Sequence, residues 1–326
     1  MSSFVRKFGR RSAAIALVTA LAVTSTASVF AQDDLSSLAG EIISDGSSTV
    51  GPITQAVAEE FAAEATGVQV SVDISGTGGG FKRFCAGETD VQNASRAIKE
   101  EEAKACADAG VKYLEFEVAY DGLTLVVNEN NETVTCLDMA SLTKLWQKES
   151  PAMTWADLNA EWPAEPIALY GPGTDSGTFD YFVETVLGKE GEIREDFTPS
   201  EDDNVLVEGV ANDENAFGYF GYAYYVENED SLNAVAVDNG EGCVAPSEET
   251  IQDGTYAPLS RPLYIYVSEE SLARPEVQAF VAFYLDMAGE LATDVGFVAS
   301  PDDVYAADVT ELETFLTGGA EATPAS

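Results

Sequence analysis

The stretch EIISDGSSTV, residues 41–50, is an apolar run that ends in small polar residues and opens directly into the helical pattern GPITQAVAEEFAAEA. Two more stretches repeat this order. VQVSVDI from Val68 leads into SGTGGG and FKRF, and PIALY from Pro166 leads into GPGTDSGT and FDYFVETVLG. Each loop leaves backbone N–H groups unpaired at a helix N-terminus, where the helix dipole is positive, so three such loops predict a site for an anion. They are called here the first (47–50), second (75–80) and third (171–178) loops.

Strand-like and helix-like segments alternate along the chain, which is typical of an α/β protein. Two extended segments, GLTLVVN (122–128) and PLSRPLYIYV (258–267), are expected to pass between two lobes as a two-strand hinge that suits closure over a ligand. The aromatic-rich stretch FGYFGYAYY (217–225) is expected to form a turn followed by a helix. The predicted division is a signal peptide at 1–31, lobe 1 at 32–125 plus 259–318, lobe 2 at 126–258, and a loose tail at 319–326.

The first 31 residues have the features of a secretion signal. Basic residues are followed by an apolar stretch, and VFA at 29–31 fits the small-residue rule for cleavage. A membrane anchor is the alternative, but Thr and Ser dilute the apolar stretch. We therefore expect an exported protein of the periplasm or extracytoplasmic space.

The composition excludes several functions. The chain has 57 acidic and 16 basic residues, a net charge of −41, and no histidine. Such a charge repels nucleic acid and anionic membranes. Without histidine a Ser-His-Asp triad cannot form, and the acidic residues are too scattered to indicate a metal site. The sequence thus predicts a binding protein without catalysis, cofactor or metal.

The four cysteines are Cys85, Cys106, Cys136 and Cys243. An even number in an exported chain predicts two disulfides, for which three connectivities exist, while free buried thiols are the alternative. Proximity in the sequence favours Cys85–Cys106, which leaves Cys136–Cys243.

Two motifs near the loops contain candidate site residues. In the first loop, Ser48 or Thr49 is expected to cap the helix that begins near Gly51. Arg96, in the motif NASR, is expected to fork its guanidinium onto ligand oxygens. The alternative for Arg96 is a surface ion pair in an acid-rich protein.

Seven motifs together resemble the PstS family, the phosphate-binding subunit of bacterial phosphate ABC importers, over nearly the whole chain after the signal. They are DGSSTV, ISGTGGGFKRF, TDVQNASR, YDGLTLVVN, GPGTDSGTFDYF, FGYFGYAYY and PLSRPLYIYV. The resemblance implies a class II periplasmic-binding-protein fold, in which two α/β lobes close on phosphate like a clamshell and then dock on the membrane permease. With Arg96, the predicted phosphate-binding residues are Ser48, Thr49, Val50, Thr77, Asp175, Ser176, Gly177 and Thr178.

The chain departs from the best-studied branch of the family at two positions. Arg96 stands where that branch has aspartate, and Pro172 stands where it has arginine. We expect Asp175 either to accept the proton of phosphate, which sulfate lacks, or to orient Arg96, and Asp121 is the second candidate acceptor. A monomeric phosphate binder is predicted. The alternatives are a binder of sulfate, molybdate or phosphonate, an exported phosphatase, or an adhesion module.

Overall fold

Strands and helices alternate along the chain in the computed structural model, which describes residues 35–174, 176–188 and 191–318. The strands are β1 (Ala39–Gly46), β2 (Gly67–Ile74), β3 (Val91–Ala94), β4 (Tyr113–Asn128), β5 (Cys136–Asp138), β6 (Ala168–Pro172), β7 (Thr198–Ser200), β8 (Ala216–Gly221), β9 (Leu232–Asp238), β10 (Cys243–Val244) and β11 (Ser260–Ser268). The helices are α1 (Gly51–Glu64), α2 (Thr77–Phe84), α3 (Glu100–Ala109), α4 (Met139–Trp146), α5 (Trp155–Leu158), α6 (Gly177–Phe182), α7 (Asp203–Ala211), α8 (Tyr222–Val226), α9 (Glu248–Gln252), α10 (Pro275–Asp294) and α11 (Asp302–Leu316). Short 3₁₀ segments cover Leu35–Ser37 and Ser271–Ala273, and a π-helical segment, Val183–Leu187, continues α6. The predicted signal peptide, the predicted tail and Asp175 lie outside the described residues.

One path of paired strands, β2-β1-β3-β11-β4-β8-β6-β7, runs through both halves of the molecule, and β9 pairs with β4, β5 and β10 beside it. In one half, β1 is parallel to β2 and β3, and in the other half β6 is parallel to β7 and β8. Strand β11 is antiparallel to both β3 and β4. The α/β class predicted from the sequence is confirmed. Because parallel strands end at a common edge, the loops after β1, β2 and β3 lie together.

The long strand β4 passes from one half of the sheet to the other. It pairs with β11 as far as Gly122 and with β8 from Leu123 onward. The two largest clusters of buried side chains in the described part of the chain divide at the same place, one around Phe61 and Phe280 and the other around Trp146. Two lobes therefore meet at β4 and β11, and the residue boundaries drawn from the sequence stay a prediction.

The aromatic stretch differs from the expectation. Residues 216–221 form strand β8, which lies between β4 and β6, and only the residues after it form a helix, α8. Gly218 allows α7 to pack close to this strand, because a Cβ there would lie 2.8 Å from Val210 Cγ2. The expected turn is thus a central strand of lobe 2.

Both predicted disulfides are confirmed. Cys85, just after α2, is bonded to Cys106 in α3, and Cys136 in β5 is bonded to Cys243 in β10. The second bridge joins two short strands that both pair with β9. Each disulfide therefore holds together elements of one lobe.

Helix α10 begins at Pro275 and packs on α1, where the rings of Phe61 and Phe280 lie 5.4 Å apart. It is the longest described helix, with 20 residues. Among the helices that the structure describes, none combines the length and the apolar character needed to cross a membrane.

Helix α11 brings a cluster of carboxyl groups against β4. Asp308 Oδ2 accepts a hydrogen bond from the backbone N–H of Glu117 at 3.1 Å. Burial, together with the charges of Glu311, Glu117 and Glu115, raises the pKa of Asp308 to about 7 against the effect of that hydrogen bond. The pKa of Glu117 is also raised, mainly by burial. Ionisation of these carboxyl groups therefore opposes the packing of α11 against β4.

We expect the thermal unfolding temperature to fall as the pH rises from 5 to 8. The folded-state pKa of Asp308, about 7, lies above the ordinary aspartate value, so its contribution to stability is present at low pH and is lost as the pH rises through 7. Asp308→Asn should flatten this dependence and raise the unfolding temperature at pH 8, measured by differential scanning calorimetry. Asp303→Asn, at an exposed position in the same helix, is the control. An unchanged pH profile in Asp308→Asn would contradict the assignment.

Candidate functional site

The first loop is organised by Ser47. Its hydroxyl accepts hydrogen bonds from the backbone N–H groups of Thr49 (3.1 Å) and Val50 (3.4 Å). Val50 occupies the capping position of α1, without a side-chain cap. The expectation that Ser48 or Thr49 caps this helix is therefore wrong, and neither hydroxyl is used for capping. Thr49 is buried and Ser48 is half-buried.

The second loop is tied to the first by Asp45, which is fully buried. Asp45 Oδ1 accepts from the backbone N–H groups of Gly46 (2.7 Å) and Ser75 (3.0 Å). Asp45 Oδ2 accepts from the Ser75 hydroxyl (2.8 Å) and from Arg83 Nη1 (2.6 Å). A buried carboxylate with this many donors is held in one position. It therefore fixes the two loops of lobe 1 relative to each other.

Ser95 connects Thr77 to Arg96, since it contacts Thr77 and immediately precedes Arg96 in the chain. The hydroxyl oxygens of Thr77 and Ser95 are 3.1 Å apart, and Ser95 N donates to Thr77 Oγ1 at 3.2 Å. Arg96 follows at the end of β3, and its two Nη groups each donate to a carboxylate oxygen of Glu102 at 2.8 Å. Burial works against ionisation of Glu102, but the hydrogen bond from Arg96 helps to lower its pKa. Arg96 is thus beside the second loop and paired with Glu102, and its binding of a ligand stays a prediction.

The third loop opens into α6 through a side-chain cap. Ser176 Oγ accepts a hydrogen bond from the backbone N–H of Thr178 at 3.1 Å. At the other end of α6, the ring of Phe182 stacks on Tyr219 of β8, with centroids 3.8 Å apart. The C-terminal end of the helix is therefore anchored to the core of lobe 2.

The first and third loops meet at Thr49 and Gly177. A Cβ placed on Gly177 would lie 2.6 Å from Thr49 Oγ1, 3.0 Å from Thr49 N and 3.2 Å from Ser48 Oγ. The backbone at the start of α6 therefore touches the first loop directly. This contact joins residues that are far apart in the sequence and belong to different lobes.

Arg261 lies at the same place, and our sequence reasoning did not include it among the site residues. Its Nη2 donates to Thr49 Oγ1 at 3.0 Å, and its Nε and Nη2 donate to Asp121 Oδ2 at 3.1 and 2.9 Å. The guanidinium carbon lies 3.7 Å from the ring centroid of Tyr181 in α6. The signal that could have identified it is a basic residue in SRPL, a hinge segment of a chain with few basic residues.

The surroundings of Arg261 have little contact with water. Asp121 is 1% exposed, and its burial raises its pKa while the charge and hydrogen bonds of Arg261 act in the opposite direction. Tyr181 is also buried, which raises the pKa of its hydroxyl, and that hydroxyl donates to Pro258 O at 2.8 Å. An anion near Arg261 would therefore interact with it at low dielectric, where charges attract more strongly.

Paired strands connect two α/β lobes, and loops rich in glycine and hydroxyl groups bring the lobes into contact. This arrangement is that of a solute-binding protein. The family model of the PBP superfamily domain matches residues 31–287. Protein SphX of Synechococcus elongatus is 46% identical over 312 residues, which are 95% of this chain and 91% of that protein. The phosphate-binding protein PstS of Staphylococcus saprophyticus is 44% identical over 279 residues, which are 85% of this chain and 86% of that protein.

A solved structure has the same fold. The crystal structure of a possible phosphate binding protein from Planctomyces limnophilus superposes with a TM-score of 0.82 at 46% identity, covering 86% of this chain and all of that one. The chain therefore belongs to the PBP superfamily and, within it, to the PstS family.

Proposed function

We propose that this protein captures inorganic phosphate between its lobes, outside the cytoplasmic membrane, and delivers it to the permease of an ABC importer. The observation that carries the proposal is the contact between Thr49 and Gly177, where hydroxyl-bearing loops of both lobes meet beside Arg261. Relatives described as phosphate-binding proteins support phosphate as the ligand. The role requires no catalysis.

The loops offer donors of the kind that this function needs. Thr49 and Thr178 bear hydroxyls, and Gly177 lets the first loop lie against the start of α6. A micromolar dissociation constant corresponds to about −8 kcal/mol. Charge-assisted hydrogen bonds contribute roughly 1.5–3 kcal/mol each, so a handful of them is sufficient after the cost of association. These local donors have to outweigh the repulsion from a chain of net charge −41.

Selectivity against sulfate needs an acceptor for the proton that phosphate carries. Asp175, in the third loop, is our first candidate. Asp121 is the second, since it is buried next to Arg261. A carboxylate at the site repels a fully ionised oxyanion and accepts a hydrogen bond from a protonated one.

Calorimetric titration of the protein without residues 1–31 is the test. After unfolding and refolding to remove any ligand acquired during purification, phosphate is expected to bind with a micromolar or lower dissociation constant. Sulfate is expected to bind about 100-fold more weakly, a difference of about 2.7 kcal/mol. Molybdate and methylphosphonate distinguish the other oxyanion binders. Absence of heat with phosphate at micromolar protein would contradict the proposal, and sulfate rejection that survives Asp175→Asn would exclude that residue as the acceptor.

The same preparation distinguishes the other classes. An exported phosphatase would release p-nitrophenol from p-nitrophenyl phosphate, whereas we expect no turnover. An adhesion module would bind no small oxyanion. The proposed partners are phosphate and the permease of a phosphate ABC transporter. The protein is proposed to act as a monomer, which light scattering of the purified chain would test.

A further inference from the structure

Resting on the proposed function, we propose that Arg261, rather than Arg96, supplies the positive charge that binds phosphate, and that Asp121 positions it. Arg261 lies on β11, one of the strands between the lobes, and its guanidinium contacts the first loop through Thr49 and helix α6 through Tyr181. Among the described residues, it is the cation that contacts site elements of both lobes.

The guanidinium retains donors for a ligand. An arginine carries five N–H donors. Here Nε and Nη2 donate to Asp121 and Thr49. Within the described part of the chain, Nη1 makes no hydrogen bond, and the side chain is 18% exposed. The ring of Tyr181 covers one face of the guanidinium, with 3.7 Å between the ring centroid and the guanidinium carbon. An anion can therefore approach the edge of the guanidinium, in its plane. A planar fork is well suited to phosphate oxygens.

Other arginines are paired with acidic residues, and these pairs limit the N–H donors that remain for a ligand. Arg96 is bound at both Nη groups by Glu102, six residues away. Arg83 is held by Asp45 and Asp73, and Arg274 by Asp90. Arg261 is paired with Asp121 as well, but through a single oxygen, Oδ2.

Asp121 and Arg261 are direct partners across two antiparallel strands. Residues opposite each other in such strands project to the same face of the sheet. The pair is therefore positioned by the strand register and not by flexible loops, and the buried carboxylate holds the guanidinium in one orientation. Since β4 and β11 connect the lobes, an anion on Arg261 is bound at the hinge itself.

The test compares phosphate affinities of variants by calorimetry, with circular dichroism as a check on folding. Arg261→Gln is expected to weaken binding at least about 100-fold, and Arg261→Lys, which keeps the charge but loses the fork, about 10-fold. Arg96→Gln should cause a clearly smaller loss than Arg261→Gln. Arg274→Gln, which removes one positive charge of lobe 1 at its ion pair with Asp90, is the matched control and should bind normally.

Arg261→Gln leaves Asp121 buried without a counter-ion and could unfold the protein. The double variant Asp121→Asn, Arg261→Gln removes both charges, and its phosphate affinity should stay about 100-fold below that of the unchanged protein. Affinity within threefold of the unchanged protein in either folded variant would overturn the proposal, as would a larger loss in Arg96→Gln. Absence of phosphate binding by the unchanged protein would contradict the proposed function itself. Normal binding by the unchanged protein and by the Arg261 variants would contradict only the role of Arg261.

Discussion

Gly177→Ala is expected to weaken phosphate binding at least about 100-fold, which is about 2.7 kcal/mol, without lowering the thermal unfolding temperature. The added Cβ would lie 2.6 Å from Thr49 Oγ1 and 3.0 Å from Thr49 N, well inside the separation at which atoms pack. The lobes could then meet only with the loops displaced. Within lobe 2 alone, alanine is a better helix former than glycine, so the first turn of α6 should not be destabilised.

Calorimetry measures the affinity, and differential scanning fluorimetry measures the unfolding temperature. Gly78→Ala is the matched control, because it also adds a methyl group in the first turn of a helix that follows a loop. Its nearest neighbours, Arg96 Nη2 and Glu102 Oε1, would lie 3.8 Å away, an ordinary contact. Affinity in Gly177→Ala equal to that in Gly78→Ala would show that the contact between the loops is not needed for binding.

Replacing Cys136 and Cys243 by alanine is expected to lower the free energy of unfolding by roughly 5 kcal/mol. Their disulfide closes a loop with a sequence separation of 107 residues, and in the chain-entropy model a loop of this length restricts the unfolded state by about that amount. Cys243 is exposed, so its removal opens no cavity in the core. The loss should therefore reflect chain entropy.

Urea denaturation followed by circular dichroism measures this loss. The pair Cys85 and Cys106 provides the comparison, with a separation of 21 residues and an entropic effect of roughly 3 kcal/mol, to which the loss of packing at two buried positions is added. Reduction of the unchanged protein breaks both disulfides, so it should lower the free energy of unfolding by more than removal of the Cys136–Cys243 bridge alone. A loss below about 1 kcal/mol in the Cys136 and Cys243 variant would mean that the unfolded chain is already compact there.

The local features of the chain were predictable because each depends on neighbouring residues. The run EIISDGSSTV and the helix after it became β1, the first loop and α1, and the disulfide pairs followed the order of the cysteines. The hydroxyl that organises the first loop was not predictable, since Ser47, Ser48 and Thr49 have equivalent hydroxyls and only the turn geometry selects Ser47. Strand β8 was missed because its glycines indicate a turn locally, whereas in the fold Gly218 makes room for Val210 of α7.

The sequence by itself determined an acidic, histidine-free α/β protein with three loops of donors, because composition and periodicity are properties of the chain. Only the tertiary structure decided how those loops and the few cations are combined. Arg96 is paired with Glu102, six residues away, whereas Arg261 is paired with Asp121, 140 residues away. The second pairing depends on the register between β4 and β11, which is fixed by the packing of both lobes and cannot be read from either segment alone.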